Sequence, residues 1–380
     1  MMRISPGQDS TTRRTLSTAA RVLSALKLDG PLLVGLGLVC FYGLVVLYSA
    51  SGQDLGTVWR TLARIGLGAV AMVALAQVRP QQLRAAAPAL YAVGIVLLIV
   101  VDIMGHIGKG AQRWLDFGFI RFQPSELMKL AVPMLCAWFL HERPLPPNAP
   151  TLGILAVIIL APAGLIVAQP DLGTAVLITI GGVLLVIMAG LSVWYMVGAT
   201  ALAGIGAWAG WQYFLHDYQK QRVLTFFDPQ MDPQGAGYHS IQSLIAIGSG
   251  GLFGKGWLHG TQSQLDYLPE RHTDFIFAVI GEEFGLLGLT ILMLLYLFVV
   301  ARALYLASQT QDTFTRLLSA SLALTFFVYV FINTGMVSGL LPVVGVPLPL
   351  VSYGGTSMVT LLASFGILMA LYSHRKLVGS

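Results

Sequence analysis

Charge is what this chain of 380 residues has least of: 10% are Asp, Glu, Lys or Arg, against about 25% in soluble globular proteins. So thin a supply excludes a string of soluble domains. Cysteine is nearly absent as well. Cys40 and Cys136 both lie inside apolar runs, where a small buried thiol is the common reading and no disulfide framework can be built. No hydrophilic stretch is long enough to fold as a domain of its own, which excludes a soluble enzyme on a membrane tether. The seven histidines are scattered without HExxH spacing, so a zinc site finds no support. Gly108-Lys109 lacks the rest of a P-loop, and the glycine-rich stretch 248–256 has no strand-to-helix context for a dinucleotide fingerprint. ATP-driven and nicotinamide chemistry are therefore disfavoured. The net charge of +5 is spread through loops with no Lys/Arg stripe, so no nucleic-acid partner is expected.

What the sequence has in quantity is apolar surface. Hydrophobic residues make up 56% and glycine another 42 positions, which also excludes a disordered chain. Apolar runs of about 20 residues, each able to cross about 30 Å of hydrocarbon, recur throughout. The fold class that follows is an all-α integral membrane protein of about ten transmembrane helices, with spans near 31–50, 58–78, 83–104, 125–142, 151–169, 172–190, 193–213, 274–301, 314–336 and 350–372. Arg3, Arg13, Arg14, Arg21 and Lys27 precede the first span, and His374, Arg375 and Lys376 follow the last. Ten spans return both termini to one side, and the positive-inside rule makes that side the cytoplasm, together with Arg79, Arg84, Arg143, Arg302 and Arg316. The first span is expected to be retained rather than cleaved as a signal peptide. One membrane domain, 31–372, thus lies between a cytoplasmic N-terminal segment, 1–30, and a tail, 373–380. The non-spanning segments 105–124, 214–273 and 337–349 face outside, the second as a long extracytoplasmic loop between helices 7 and 8.

These outer segments carry the unusual residues. Lys109, Arg113 and Arg121 put three cations where cations are disfavoured, which calls for an anionic counterpart. In the second loop Ile241–Ile247 is apolar but too short to span and is expected to lie in or dip below the interface, while glycines 248–256 let the backbone turn sharply. The third holds Pro342, Pro347 and Pro349; irregular backbone at membrane depth must be covered by protein or line a cavity. Polar residues gather at the outer ends of the spans: Trp114, Arg121, Gln123, Glu126 and Lys129 around the fourth, and Glu270, Arg271, His272 and Asp274 at the eighth. The inner ends show no comparable cluster. Glu126 and Lys129, three apart on one helical face, read either as a mutual ion pair or as the lining of a wet cavity. Asp274, opening the eighth helix, reads as an N-cap or as a carboxylate held ionised by the helix dipole and able to take a proton from a hydroxyl. Glu282 and Glu283 lie about 12 Å deeper, turned about 80° and 180° away, and are expected to pair with neighbouring helices. Gln169-Pro170-Asp171 is explained by a tight turn with a capping Asp, leaving Asp171 a secondary candidate.

Arg113-Trp114-Leu115 with Gln123-Pro124-Ser125-Glu126-Leu127-Met128-Lys129, Gln169-Pro170-Asp171-Leu172-Gly173-Thr174, Pro269-Glu270-Arg271-His272-Thr273-Asp274-Phe275, and Pro347-Leu348-Pro349-Leu350-Val351-Ser352-Tyr353-Gly354-Gly355 come in that order over nearly the whole chain. Together they resemble the motif series of the SEDS family, and within it the elongation (RodA) branch more than the FtsW or sporulation branches. The resemblance implies a multi-pass protein of the bacterial cytoplasmic (inner) membrane, N-in and C-in. It would be an inverting peptidoglycan glycosyltransferase that polymerises lipid II into β-1,4-linked glycan at the outer face during cell elongation. It implies Asp274 as the essential carboxylate, acting as general base on the 4-hydroxyl of the acceptor GlcNAc while polyprenyl pyrophosphate leaves. Trp114 would stack on a sugar, Arg121, Lys109 and Arg113 would stabilise the pyrophosphate, and Gln123, Glu126 and Lys129 would shape the cavity. Many glycosyl transfers place a divalent cation, Mg2+ or Mn2+, on the pyrophosphate; no DxD-type ligand pair is visible, so no metal site is assigned.

The partners implied are a class B penicillin-binding protein that supplies the transpeptidase, lipid II, the nascent glycan strand, other elongation-complex membrane proteins and membrane lipid. A competing reading from another class is a flippase for the lipid-linked precursor, which should show inverted repeats and broken helices with polar residues at the midplane. A third, a non-catalytic scaffold, would tolerate Asp274→Ala.

Overall fold

The computed structural model describes residues 23, 25–104, 106–108, 111–116, 121–214, 220, 223–226, 228, 236–265, 267–268 and 270–374. Arg3, Arg13, Arg14, Arg21, Lys109, the turn 229–233, Arg375 and Lys376 lie outside the described residues. Ten long helices among the described residues match the ten expected spans one for one: α1 Gly30–Ala50, α2 Leu55–Ala76, α3 Pro80–Met104, α4 Pro124–Leu140, α5 Ala149–Ala168, α6 Leu172–Met188, α7 Val193–Ala209, then α10 Ile276–Ser308, α11 Thr313–Val337 and α12 Thr356–Ser373. Between α7 and α10 stand α8, Ala236–Gly250, and the single turn α9, Thr261–Gln264. Eight of the long helices, α7 with its π-helical extension Gly210–Phe214 among them, are long and apolar enough to cross a membrane outright, while α4 and α6 have 17 residues each. The chain is a helical membrane protein.

Local chemistry marks the helix starts. Asp29, Asp54, Asn148, Asp171 and Asp312 occupy N-cap positions, and each side chain accepts a backbone N–H from the first turn, which satisfies donors that hydrocarbon could not. Two apolar clusters form the interior. One is built on α1, α10 and the 338–355 segment, the other on α3 to α6, and α11 and α12 contribute to both. None of the described side chains of α7 is buried, so a bilayer or another protein must cover its apolar surface.

The structure departs from the sequence reading in four places. Segment 105–124 is not a plain loop, because β1, His106–Gly108, β2, Ala111–Asp116, and β3, Arg121–Phe122, pair antiparallel in the order β1-β2-β3. The apolar stretch 241–247 belongs to α8, which packs on α10 and anchors to α11 where Ser243 Oγ donates to Val337 O at 2.9 Å; protein covers much of it. The eighth span begins at Ile276 with Phe275 in the cap position, so Asp274 stands one residue outside the cap. Finally, α10 is broken at Gly285, where φ is +64° and ψ −162°.

The break in α10 is filled by backbone. Leu286 N and Leu287 N donate to Gly251 O and Leu252 O at 2.9 and 3.0 Å, and Lys255 N and Gly256 N donate to Glu282 O and Glu283 O at 2.9 and 3.0 Å. So close an approach requires glycine: a Cβ at Gly250 would lie 1.9 Å from Gly281 O, and one at Gly254 2.1 Å from Glu283 O. Both glutamates are fully buried. Glu282 accepts from Lys255 Nζ at 2.8 Å, Thr261 Oγ1 at 3.1 Å, Gln262 N at 2.8 Å and Ser263 N at 3.2 Å, and Glu283 accepts from Ser49 Oγ at 2.5 Å. Their partners come from the 255–263 loop and α1, so a loop supplies most of the pairing expected from neighbouring helices.

Close packing of α2 on α12 depends on Gly366, where a Cβ would lie 2.4 Å from Met72 O. Gly366→Ala is expected to cost about 1–3 kcal/mol by overpacking and to lower the midpoint of thermal unfolding in detergent. Gly37→Ala, where a Cβ meets nothing within 4 Å, should leave that midpoint unchanged.

Candidate active site

The motif segments, far apart in sequence, meet at one end of the bundle. Neighbouring strand residues point to opposite faces, and in β2 this sends Arg113 and Trp114 to different places. The Arg113 guanidinium donates to Pro170 O and, through Nε, to Gln169 O at 3.3 Å, with Nη1 3.9 Å from Asp171 Oδ1. Trp114 turns instead toward the 338–355 segment, its Cη2 3.7 Å from the Cβ position of Gly355. Asp171 is the N-cap of α6 through Thr174 N and also accepts from Gln123 Nε2 at 3.1 Å. Gln123 occupies the N-cap position of α4 without capping it, and its amide nitrogen donates to Asp171. Gln169 is buried and ties the same turn to α3 by donating to Leu98 O at 2.9 Å.

Asp274 is half-buried in the 270–275 turn. Its backbone carbonyl accepts from Asn333 Nδ2 at 2.9 Å, and the same amide donates to Val346 O at 2.7 Å. Ser352 repeats the clip one residue earlier: its hydroxyl donates to Thr273 O at 2.5 Å and accepts from Leu348 N at 2.8 Å. Tyr353 N donates to His272 O at 2.8 Å. The 270–275 turn and the proline-rich segment are thus fastened together, and the Asp274 carboxylate faces Gly345, whose Cβ position lies 3.6 Å from Oδ2. On the other side of that segment a Cβ at Gly173 would lie 2.6 Å from Val344 O, which brings the Gln-Pro-Asp turn against it. The irregular backbone is covered by protein: Val346, Leu348, Leu350 and Val351 are all buried.

Glu126 and Lys129 form the ion pair, with Nζ 2.7 Å from Oε1, and both are nearly buried. Lys129 Nζ also sits 5.1 Å from the centre of the Tyr329 ring. The pair does line a cavity, with Thr325, Tyr329, Thr360 and Ser364 beside it, but the volume is about 20 Å3. That space suits a water molecule rather than a sugar. The Lys109 side chain lies outside the described residues, and of Arg121 only the backbone is described, paired with Asp116.

Sequence reasoning missed four contributors. Asn333, fully buried in the middle of α11, had a legible signal, since a lone amide inside an apolar span is costly unless used. Ser352 and Gly345 gave none. Arg64 on α2 lies with its guanidinium carbon 4.5 Å from the centre of the Tyr353 ring. Burial alone would raise the Tyr353 phenol, but its hydrogen bond to Arg64 and the charges of Arg64 and Arg60 outweigh that and hold it below its ordinary value. This adds cationic character to the site from a helix that carries none of the motifs.

Comparison with known proteins gives consistent results. A family model described as cell cycle proteins of the FtsW, RodA and SpoVE type matches residues 30–377. The chain is 52% identical over 352 residues to the peptidoglycan glycosyltransferase MrdB of Escherichia coli K12, covering 92% of this chain and 95% of that protein. It is similar in structure to a chain of a peptidoglycan synthase complex that coordinates polymerization and crosslinking, at TM-score 0.81 and 33% identity, over 92% of this chain and 98% of that one. The rod shape determining protein RodA of Thermus thermophilus superposes with TM-score 0.70 at 30% identity, over 92% of this chain and 97% of that one.

The Glu126–Lys129 pair sets up a stability test. Lys129→Met leaves a buried carboxylate without its partner and is expected to cost about 3–5 kcal/mol, whereas the double variant Glu126→Gln/Lys129→Met should recover most of that loss. Thermal unfolding of the three proteins in one detergent reads the difference. A double variant as unstable as Lys129→Met would show that the pair is not the unit that matters.

Proposed function

The chain belongs to the FtsW/RodA/SpoVE family of cell cycle proteins, and from that membership we infer that it is a peptidoglycan glycosyltransferase that polymerises lipid II during cell elongation. The observation that carries the reading onto this chain is the meeting of four separated segments around one half-buried carboxylate, Asp274. An acceptor sugar hydroxyl placed against that carboxylate would be the nucleophile. Asp274 takes the proton of the GlcNAc 4-hydroxyl as the oxygen attacks the anomeric carbon of the donor MurNAc. The bond to polyprenyl pyrophosphate breaks, the pyrophosphate leaves with the electron pair, and the new linkage is formed with inversion.

The other residues take supporting roles in this proposal. Lys109, Arg113 and Arg121 supply positive charge for the departing pyrophosphate, with Arg113 braced on the 169–171 turn. Trp114, beside Gly355, offers an aromatic face for a sugar. Gln123 steadies Asp171, and the Glu126–Lys129 pair keeps the helix beneath the site in register. Among the described residues no three His, Cys, Asp or Glu side chains come together, and no step is routed through a metal ion. The reading places this end of the bundle at the outer face of the cytoplasmic membrane, where the charge bias of the loops puts it. Its partner would be a class B penicillin-binding protein. In support, the solved complex to which the chain is similar joins polymerization to crosslinking.

One observation favours the translocation alternative: α10 is broken about 13 Å from its start, as transporter helices often are. Yet Glu282 and Glu283 at the break are fully buried and hydrogen-bonded to the 255–263 loop and α1, so they offer no surface to a moving headgroup.

The deciding assay uses the chain purified with its cognate class B penicillin-binding protein, with a β-lactam to block crosslinking and moenomycin to silence unrelated polymerases. Wild type should convert lipid II to glycan polymer, and Asp274→Asn should lower the rate by at least the 10²–10⁴-fold typical of a lost general base, as an order of magnitude, while remaining folded and paired. An active Asp274→Asn would return that residue to a structural role, and no polymer from a folded, paired wild type would put translocation first.

A further inference from the structure

The end of the bundle opposite Asp274 holds a feature of its own. A cavity of about 310 Å3 lies there, between the first turn of α3, the connection from α10 to α11 and the end of α12. Gln81, Arg84, Thr310, Gln311, Asp312 and His374 supply its polar lining. The volume equals the liquid share of about ten waters. Phe314 and Leu371 border it and give it an apolar margin.

The lining carries one guanidinium, Arg84, and one carboxylate, Asp312, and Lys27 beside His374 tips the balance to positive. Arg84 is half-buried and makes no hydrogen bond or ion pair among the described residues. Asp312, the one carboxylate of the lining, is committed to the start of α11, where it accepts from Thr315 N at 3.3 Å. His374 Nδ1 lies 2.9 Å from Ala370 O, so it must donate there, and Nε2 is left to accept from Lys27 Nζ at 3.0 Å. Lys27 adds a second cation behind the cavity wall. A guanidinium is a fixed charge suited to phosphate, and a partly desolvated one without an internal partner is costly unless a ligand supplies the anion.

We propose that this cavity binds the phosphate headgroup of an anionic phospholipid from the leaflet at that end, with Arg84 as the phosphate contact. Two features select lipid over free phosphate: the cavity sits where helices end, and it is far roomier than a bare phosphate needs. Basic pockets between helix ends on the cytoplasmic side commonly hold such headgroups. The site is separate from the reaction at Asp274 and does not depend on how that reaction is read.

Native mass spectrometry of the purified full chain tests the assignment with phosphatidylglycerol and phosphatidylcholine as probes. Wild type should retain phosphatidylglycerol through delipidation in preference to phosphatidylcholine. Arg84→Ala should lose about fivefold of that retention, Arg84→Lys should recover part of it, and Arg143→Ala, a cation outside the cavity, should match wild type. Unfolding in lipid-free detergent checks that Arg84→Ala is intact, and the two-lipid comparison on wild type stands without any variant. Equal retention of both lipids, an unaffected Arg84→Ala, or an equal loss in Arg143→Ala would overturn the proposal. Displacement of phosphatidylglycerol by millimolar inorganic phosphate would overturn the lipid assignment and make soluble phosphate the ligand.

Discussion

A helix that breaks inside hydrocarbon frees backbone groups that lipid cannot satisfy, each at a cost of several kcal/mol. The rest of this structure is arranged around the break at Gly285. Two carbonyls and two amides of α10 are taken up by the 251–256 loop, and the loop reaches them only because Gly250 and Gly254 present no Cβ to the carbonyls beneath. Glu282 and Glu283 flank the break and bind the same loop and α1 through side chains. The short first half of α10 is thereby held from behind. Its leading end carries the turn that contains Asp274, so the rigidity of the break is passed to the candidate base.

A second irregular segment solves the same problem by other means. The proline-rich stretch 342–349 cannot form a helix, and its carbonyls and amides would be stranded among apolar side chains. Asn333 and Ser352 supply the missing partners, and each spends the other half of its hydrogen-bonding capacity on the 273–274 backbone. One pair of buried polar side chains therefore both solves the desolvation problem of an irregular segment and fixes the position of a carboxylate. The Asp274 side chain is positioned through its own main chain. Preorganisation of this kind avoids reorienting dipoles during reaction.

Much of this was legible, and the rest was hidden for identifiable reasons. The ten spans follow from apolar runs, and Asp171 as a cap follows from its place between two of them. The Glu126–Lys129 pair follows from three-residue spacing on a helix. Strands β1 to β3 were not legible, because two short pairings in a cationic, glycine-containing segment carry no alternating apolar pattern. The break at Gly285 was invisible, since one glycine among many in an apolar run has no marker until its partner loop is in place. Of the two readings of Asp274, the cap misses by a single position: Phe275 holds that place, although Phe has no capping propensity, because the fastenings at Thr273 and Asp274 override local preference.

The placement of polar groups also explains why chemistry, rather than passage through the membrane, fits this fold. A headgroup crossing the bilayer needs a continuous polar route. Here the ionisable residues inside the bundle are closed off in separate compartments. Glu126 and Lys129 face a volume of about 20 Å3 bounded by Leu322 and Phe326, and Glu282 is wrapped by its own loop. Between the Asp274 end and the cavity at Arg84, Phe326 packs on Phe365 at 5.0 Å between ring centres, and both are buried. Among the described residues, the interior between the two ends has no open polar route to exchange for the water such a headgroup would lose.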